Sequence, residues 1–121
     1  MSADEFVWSV KNGQLEKVKA YVDSKKGKFD VNAQITGGRS PIHFAADYGQ
    51  EEVIDYLVKQ GANVNLPDAH GITPLLCAIW EGHPDCVKFL ISKGAKKDGK
   101  SPDGVSYLDC AETSEIKDLL K

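Results

Sequence analysis

The segment GAKKDGKS, from Gly94 to Ser101, fits the phosphate-binding loop pattern G-x-x-x-x-G-K-[ST] at every position. In nucleotide hydrolases this loop follows a β-strand and opens a helix whose N-terminus holds phosphate. Here the turn sequence Pro102-Asp103-Gly104 follows instead of an apolar helix. The preceding run CVKFLI aligns with EVIDYLV, which has the spacing of a helix. We therefore predict a structural hairpin and a protein that is not an enzyme.

The cysteines and histidines do not provide another route to chemistry. His70, Cys77, His83 and Cys86 lack the paired Cys-x-x-Cys and His-x-x-x-His spacings of a structural zinc site. No serine or cysteine can be matched to a histidine base by a known catalytic motif. We predict neither a metal nor a cofactor.

Composition limits the class of protein and its partners. The 121 residues, of which 41% are hydrophobic and 27% charged, suit one small globular domain. A net charge of -3 argues against direct nucleic-acid binding. The N-terminus does not resemble a secretory signal, and no segment has the length and apolarity of a membrane span. Three cysteines without paired spacings fit a reducing compartment, so we expect the cytoplasm, with the nucleus left open.

A 33-residue repeat organises the chain. Residues 40–71 overlie residues 73–104 with matching proline, alanine, leucine and glycine positions. In each copy, a proline follows Ser40 or Thr73 as it would in a first helical turn, and Gly49 or Gly82 ends the helix. A second helix with an apolar stripe follows. A shorter copy begins the chain, with three extra residues in DSKKGKFDVN, and another ends it, with Ser114 predicted to cap the last helix.

This period and the phrases SPIHFAA and GITPLLCA resemble the ankyrin repeat, whose signature is T-P-L-H-x-A. The resemblance covers essentially every residue and implies an all-α solenoid of about four stacked helix-turn-helix units with short hairpin loops. His43 matches the signature histidine and is expected to tie neighbouring units by hydrogen bonds. The expected units are residues 2–35 as an N-terminal cap, 36–68, 69–101, and 102–121 as a C-terminal cap.

The residues predicted to bind a protein lie on the first helix of each unit and on the hairpin tips, where the fold exposes side chains on its concave side. Aromatic residues surrounded by charges are typical of interface centres. An alternative is that the tryptophans pack between units. The lysines of the inserted loop, Lys25, Lys26 and Lys28, form either a solvated turn or a contact to an acidic partner. The predicted binding residues are Trp8, Lys11, Arg39, Asp47, Tyr48, His70, Trp80 and Glu81.

Within the ankyrin family, the stretches ITGGRSPIHFAADYGQ, GITPLLCAIWEGH and IKDLLK are similar to those of small vertebrate members. That resemblance implies a protein that binds the heterodimeric actin capping protein, keeps it from filament barbed ends and so promotes filament growth. We expect the chain to be a monomer. Asp47 and Glu81 would then meet basic residues of the partner. The resemblance also leaves open an adaptor that regulates Rel-type transcription factor dimers, without direct nucleic-acid or membrane contact. The inserted loop from Lys25 to Asp30 departs from the pattern of these members.

Overall fold

The computed structural model describes residues 2–121, which form four successive pairs of antiparallel helices. No β-strand occurs in this range, and isolated bridges at Thr36–Arg39 and Lys100–Ser106 mark two hairpins. The predicted all-α ankyrin solenoid is confirmed. None of the helices in residues 2–121 is long and apolar enough to cross a membrane. The helices are α1 (Ala3–Lys11), α2 (Leu15–Ser24), α3 (Pro41–Asp47), α4 (Glu51–Lys59), α5 (Pro74–Trp80), α6 (Pro84–Ser92), α7 (Tyr107–Cys110) and α8 (Ser114–Leu120).

The core lies between the two rows of helices. The first helices of the units pack in series, α1 on α3, α3 on α5 and α5 on α7, and form the inner row. The second helices, α2, α4, α6 and α8, form the outer row and bury their apolar stripes against it. A single two-helix unit cannot cover its own apolar side, so each unit depends on its neighbours. The fully buried side chains include Phe6, Ile42, Ile54, Leu57, Leu75, Leu76, Ile79, Leu90 and Ile116.

The helix boundaries follow from capping chemistry. Pro74 opens α5, and the Thr73 hydroxyl before it accepts the backbone N–H of Leu76 at 3.3 Å. The last helix differs from its prediction by one residue. Thr113 is the N-cap, because its hydroxyl accepts the N–H of Ile116 at 3.3 Å, whereas Ser114 is already the first helical residue. An N-cap side chain accepts an N–H two or three residues further on, and Thr113 bonds to the third.

His43 ties the second unit to the hairpin that follows it. Its Nδ1 accepts the backbone N–H of Ser40 at 3.2 Å, so the ring proton is on Nε2. Nε2 lies 2.8 Å from the carbonyl oxygen of Leu66 and 2.9 Å from that of Ile72, and donates to them. The imidazole is completely buried, and this desolvation lowers its pKa from the ordinary value. The predicted structural role of His43 is confirmed.

We expect the free energy of unfolding to fall as the pH is lowered below 6.5, the ordinary histidine pKa. The folded-state pKa of His43 is depressed, so the unfolded chain binds more protons in this range; the stability is present above pH 6.5 and lost as pH falls through the folded pKa. Urea midpoints at about pH 7.5 and about pH 5 would measure it. The variant His43→Gln should be less stable at neutral pH but lose less on acidification. Parallel losses in both proteins would contradict this assignment.

Side chains at equivalent positions make the same bonds between units. Gln50 Nε2 donates to the carbonyl oxygen of Lys11 at 2.8 Å, at the end of α1. In the next unit the equivalent residue, His83, places its Nε2 2.8 Å from the carbonyl oxygen of Asp47, at the end of α3. These bonds satisfy carbonyl groups that have no partner within their own helix. The starts of α4 and α6 are thereby fixed to the preceding unit.

Two asparagines at equivalent positions make matching hydrogen bonds between hairpins. Asn32 donates from Nδ2 to the carbonyl oxygen of Gly61 at 3.2 Å, and its Oδ1 accepts the N–H of Asn63 at 2.9 Å. Asn65 makes the corresponding bonds. Its Nδ2 donates to the carbonyl oxygen of Gly94 at 3.1 Å, and its Oδ1 accepts the N–H of Lys96 at 2.9 Å. The repeat in the sequence is therefore a repeat in the contacts that join the units.

The three extra residues of the first unit allow an aromatic lid to form. Phe29 packs edge-on against Phe6, with ring centres 5.7 Å apart, and against Tyr21 at 6.2 Å. Phe6 and Tyr21 stack at 4.3 Å. In the next unit the small residue Ala62 occupies the register position of Phe29. The lid thus covers Phe6 at the end of the stack, where no described unit precedes the first one.

Candidate partner-binding face

Arg39 lies at the centre of a side-chain cluster that joins neighbouring units. Its Nη2 lies 3.5 Å from Oδ1 of Asp47 and donates to Sγ of Cys77 at 3.3 Å, across to the next inner helix. Its guanidinium carbon is 4.9 Å from the centre of the Phe44 ring. The hairpin before α3 is thereby held against the exposed side of α3 and α5, which we call the inner face.

Lys11 extends this cluster into the first unit. Its ammonium lies 5.4 Å from the ring centre of Phe44 and 5.5 Å from that of Tyr48, within the range of cation–π attraction. Phe44 is only 5% exposed, because Lys11 and Arg39 cover it. One aromatic ring therefore supports cations from two different units. The cluster consists of Lys11, Arg39, Phe44, Asp47, Tyr48 and Cys77.

Phe44 and Cys77 were absent from the predicted set, although the register contained a signal for them. Allowing for the insertion, Phe44 occupies in the second unit the position of Trp8 in the first, and Cys77 occupies it in the third. Because residues at one register position lie on the same side of their helices, the repeat by itself predicts that all three lie on the inner side. The burial of Phe44 and Cys77, however, depends on the path of the Arg39 side chain, which spacing does not predict.

The two predicted acidic residues have different environments. Asp47 is half-buried and its carboxylate is already engaged by Arg39, so its charge is balanced within the chain. Glu81 follows α5 as its C-cap and is exposed. Within residues 2–121, Glu81 forms no ion pair shorter than 4 Å. Of these two residues, Glu81 is therefore the one available to a basic partner residue.

The exposed aromatic residues of the inner face are Tyr48 and Trp80. Tyr48 is 48% exposed after α3 and Trp80 is 44% exposed at the end of α5, one register position apart. Both are large apolar groups that the fold leaves partly in water. Trp80, Glu81 and Tyr48, beside Arg39 and Lys11, form a mixed aromatic and charged surface of the kind found at interface centres.

Trp8 and His70 lie at the margins of this face. Trp8 is 52% exposed on α1, and the ammonium of Lys17 from α2 lies 5.5 Å from its ring centre. His70 is exposed on the tip of the second hairpin, where its backbone N–H donates to Oδ1 of Asp68 at 2.8 Å. Of the predicted residues, Lys11, Arg39, Asp47 and Tyr48 belong to the cluster. Trp80 and Glu81, at the end of α5, occupy the register positions of Asp47 and Tyr48.

The two hairpins beside the inner face approach each other closely at a glycine. The N–H of Ala69 donates to the carbonyl oxygen of Gly38 at 2.9 Å. Gly38 has φ of +75°, and a Cβ added there would lie 2.4 Å from Cβ of Ala69. Its neighbour Gly37 has φ of +61°, but an added Cβ would meet nothing within 4 Å.

Gly38→Ala is therefore expected to lower the free energy of unfolding by about 2 kcal/mol, and Gly37→Ala by about 1 kcal/mol. Both substitutions introduce left-handed strain, but only the first also forces the hairpins apart. Urea denaturation followed by circular dichroism would measure both. Equal losses would show that the approach of the hairpins does not limit the side chain at residue 38.

The site has no reactive thiol. Burial raises the pKa of Cys77 to about 11 even though Arg39 lies beside it, and raises that of Cys86 to about 12. Thiols with such pKa values are almost entirely protonated at neutral pH and are poor nucleophiles. Within residues 2–121 no group of three or more His, Cys, Asp and Glu side chains has the arrangement of a metal site.

The phosphate-loop pattern forms a hairpin, as predicted. The run CVKFLI lies within α6 and is not a strand. After it, the N–H of Ser101 donates to the carbonyl oxygen of Val105 at 2.7 Å, and the N–H of Val105 donates to the Ser101 hydroxyl at 3.2 Å. The N–H of Tyr107 bonds to Gly99 at 3.0 Å and closes the turn. The serine of the pattern is therefore buried, and its hydroxyl is engaged within the hairpin.

A family model for ankyrin repeats (3 copies) matches residues 6–101, and the chain belongs to the ankyrin-repeat family. Ankyrin repeats are modules for protein–protein interaction. Within the family the chain is myotrophin-like. It is 52% identical to myotrophin of Xenopus tropicalis over 63 residues, which cover 52% of this chain and 51% of that protein. It is 56% identical to myotrophin of Gallus gallus and 54% identical to that of Homo sapiens, each over 50 residues that cover 41% of this chain and 40% of the relative. The chain spans about half the length of the curated relatives it matches, or less.

Proposed function

We propose that this chain binds the heterodimeric actin capping protein through its inner face, keeps it from filament barbed ends and so favours filament growth. The choice of partner is supported by the similarity to myotrophin over part of the chain. Fold alone does not choose a partner, since ankyrin stacks serve many unrelated ones. The proposed site of action is the cytoplasm.

The observation that carries the proposal is the exposure of Tyr48 and Trp80 beside Glu81, whose carboxylate forms no ion pair within residues 2–121. Burying two large aromatic side chains against a partner would remove much apolar area from water at small cost in side-chain entropy. Glu81 would pair with a basic residue of the partner at the edge of this contact. Arg39 and Lys11 would give the partner a fixed surface, because both cations are held against the Phe44 ring.

The proposed mode of action is stoichiometric binding without chemistry. Cys77, which lies in the cluster, is protonated at neutral pH, and Asp47 is engaged by Arg39. Neither is therefore suited to act as a nucleophile or base. The inhibitory effect would instead come from occupying the capping protein, so it would depend on the molar ratio of the two proteins.

Actin elongation from capped seeds tests this proposal. Pyrene-labelled actin, filament seeds and enough capping protein to stop barbed-end growth would be mixed with increasing amounts of this chain. We expect elongation to recover and to saturate near one molecule per capping-protein heterodimer when both proteins are well above the Kd. Light scattering after size-exclusion chromatography should give a complex of the same ratio.

Failure to restore elongation at about a tenfold excess, together with no complex on the column, would refute the proposal. The adaptor for Rel-type transcription factors remains the second candidate. A pull-down from cytosol distinguishes the two, because it would recover either the two-chain actin regulator or a Rel dimer.

A further inference from the structure

A depression of about 300 Å³ opens at the N-terminal end of the stack, beside the inserted loop. The half-buried rings of Tyr21 and Phe29 and the side chain of Ile35 give it an apolar wall. Its volume is at the small end of the range for ligand pockets and suits one or two side chains of a peptide. We call Tyr21, Lys25, Lys28 and Phe29, which line it, the loop surface.

Lysines surround this depression on the loop side. The ammonium of Lys25 lies 5.6 Å from the ring centre of Tyr21, and Lys28 lines the same depression. Lys25, Lys26 and Lys28 are exposed, and none of them forms an ion pair shorter than 4 Å within residues 2–121. Asp30 also lines the depression, but its carboxylate accepts the N–H of Asn32 at 2.9 Å. The Asp30 carboxylate keeps its charge, but three lysines outnumber it, so the loop from Lys25 to Asp30 has a net positive charge on a chain whose net charge is -3.

The fold explains the aromatic residue of the loop but not its lysines. Phe29 packs on Phe6 and Tyr21 and covers the end of the core. The equivalent segment of the second unit, Lys59 to Asn65, joins its helix to the next hairpin with three fewer residues and one lysine. Joining the helix to the hairpin therefore does not require three lysines.

We propose that the loop surface binds an acidic peptide segment that inserts one apolar side chain into the depression, beside Tyr21 and Phe29. Its carboxylates pair with Lys25 and Lys28, and its apolar side chain fills the depression. This site is separate from the inner face and goes beyond the proposed function.

A peptide suits this surface better than an anionic membrane. Recognition of acidic lipids typically uses clusters of four to eight basic residues. Here only two lysines, Lys25 and Lys28, line a recessed depression, and the aromatic rings lie in its wall and do not project from the surface. A recess accepts a protruding side chain, whereas a bilayer needs apolar groups that protrude into it.

Fluorescence anisotropy with two labelled hexapeptides tests the proposal. DELFED carries carboxylates around an apolar pair, and NQLFQN replaces every carboxylate by the amide of the same shape. We expect DELFED to bind at least about tenfold more tightly, and the difference to shrink as salt is raised from about 50 mM to about 300 mM. In a ¹⁵N-labelled sample, the amide shifts should be concentrated in residues 21–35.

Matched charge variants make the test specific. The double variant Lys25→Glu and Lys28→Glu should weaken DELFED binding by about tenfold or more, and the neutral pair Lys25→Gln and Lys28→Gln by less. The control Lys96→Glu and Lys117→Glu makes the same change in net charge at exposed residues elsewhere and should leave affinity within about twofold. All three should keep the unfolding midpoint, because the exchanged side chains are exposed.

Three results would overturn the proposal: equal affinity for the two peptides, equal weakening by the loop variant and its control, or binding to phosphatidylserine vesicles without binding to DELFED. The actin assay separates this site from the inner face. The loop variant should still relieve capping, so failure of one proposal would not be mistaken for failure of the other.

Discussion

Trp80→Ala weakens binding of the actin capping protein by about thirtyfold or more, corresponding to about 2 kcal/mol, if the inner face is the binding site. Trp80 ends α5 beside Glu81 and is 44% exposed, so a partner can still bury a large part of its ring. A tryptophan at the centre of an interface commonly dominates the binding energy. Titration of fluorescently labelled capping protein would measure the loss directly.

The control for this variant is Phe89→Ala. Phe89 is a half-buried aromatic residue on α6, in the outer row, and its removal should also perturb packing. We expect it to reduce the free energy of unfolding without a loss of affinity greater than about twofold for the folded protein. An unaffected Trp80→Ala variant, or an equal loss in both variants, would place the contact elsewhere on the molecule.

Leu57→Ala is expected to lower the free energy of unfolding of the chain by about 3 kcal/mol. Leu57 is completely buried in α4, so its truncation leaves a cavity in the second unit. That unit packs against the first through α2 and α4 and against the third through α3 and α5, and stability along such a stack is a sum of neighbouring terms. Urea denaturation should show one transition at a lower midpoint, with the slope preserved.

Ile116→Ala creates a comparable cavity at the end of the stack. Ile116 is 1% exposed in α8, which packs on α6 and α7. Its loss should release the last unit before the rest, because no described unit follows to hold it in place. Hydrogen exchange should show reduced protection confined to α7 and α8. Global loss of protection in this variant, or local loss in Leu57→Ala, would contradict a stack of nearest-neighbour contacts.

The helix pairs could be predicted from sequence because their signals are local. Proline after a cap residue, glycine at a helix end and an apolar stripe depend only on nearby backbone geometry. Ser114 shows the limit of this reasoning, since Thr113 beside it has the same capping chemistry and the final register decided between them. Residue type alone therefore does not decide which of two adjacent capping residues becomes the N-cap.

The candidate site was less predictable because its contacts join distant parts of the chain. Spacing placed Asp47 and Tyr48 on the inner face, but not the reach of Arg39 from its hairpin to Asp47 and Cys77. A long side chain chooses its path according to what surrounds it, and those surroundings come from three units. For the same reason, the register showed three extra residues in the first unit but not that Phe29 would cover Phe6.

The bonds of Gln50 and His83 to the preceding unit bear on how such a chain could change in length. A tandem duplication of the middle segment would carry its own donors and acceptors at both junctions, so the new copy could join without redesign of either neighbour. The first unit, sealed by Phe29, and the shortened last one do not have that property. Longer relatives of such a chain would therefore gain copies of the middle units, and the first and last units would stay the same.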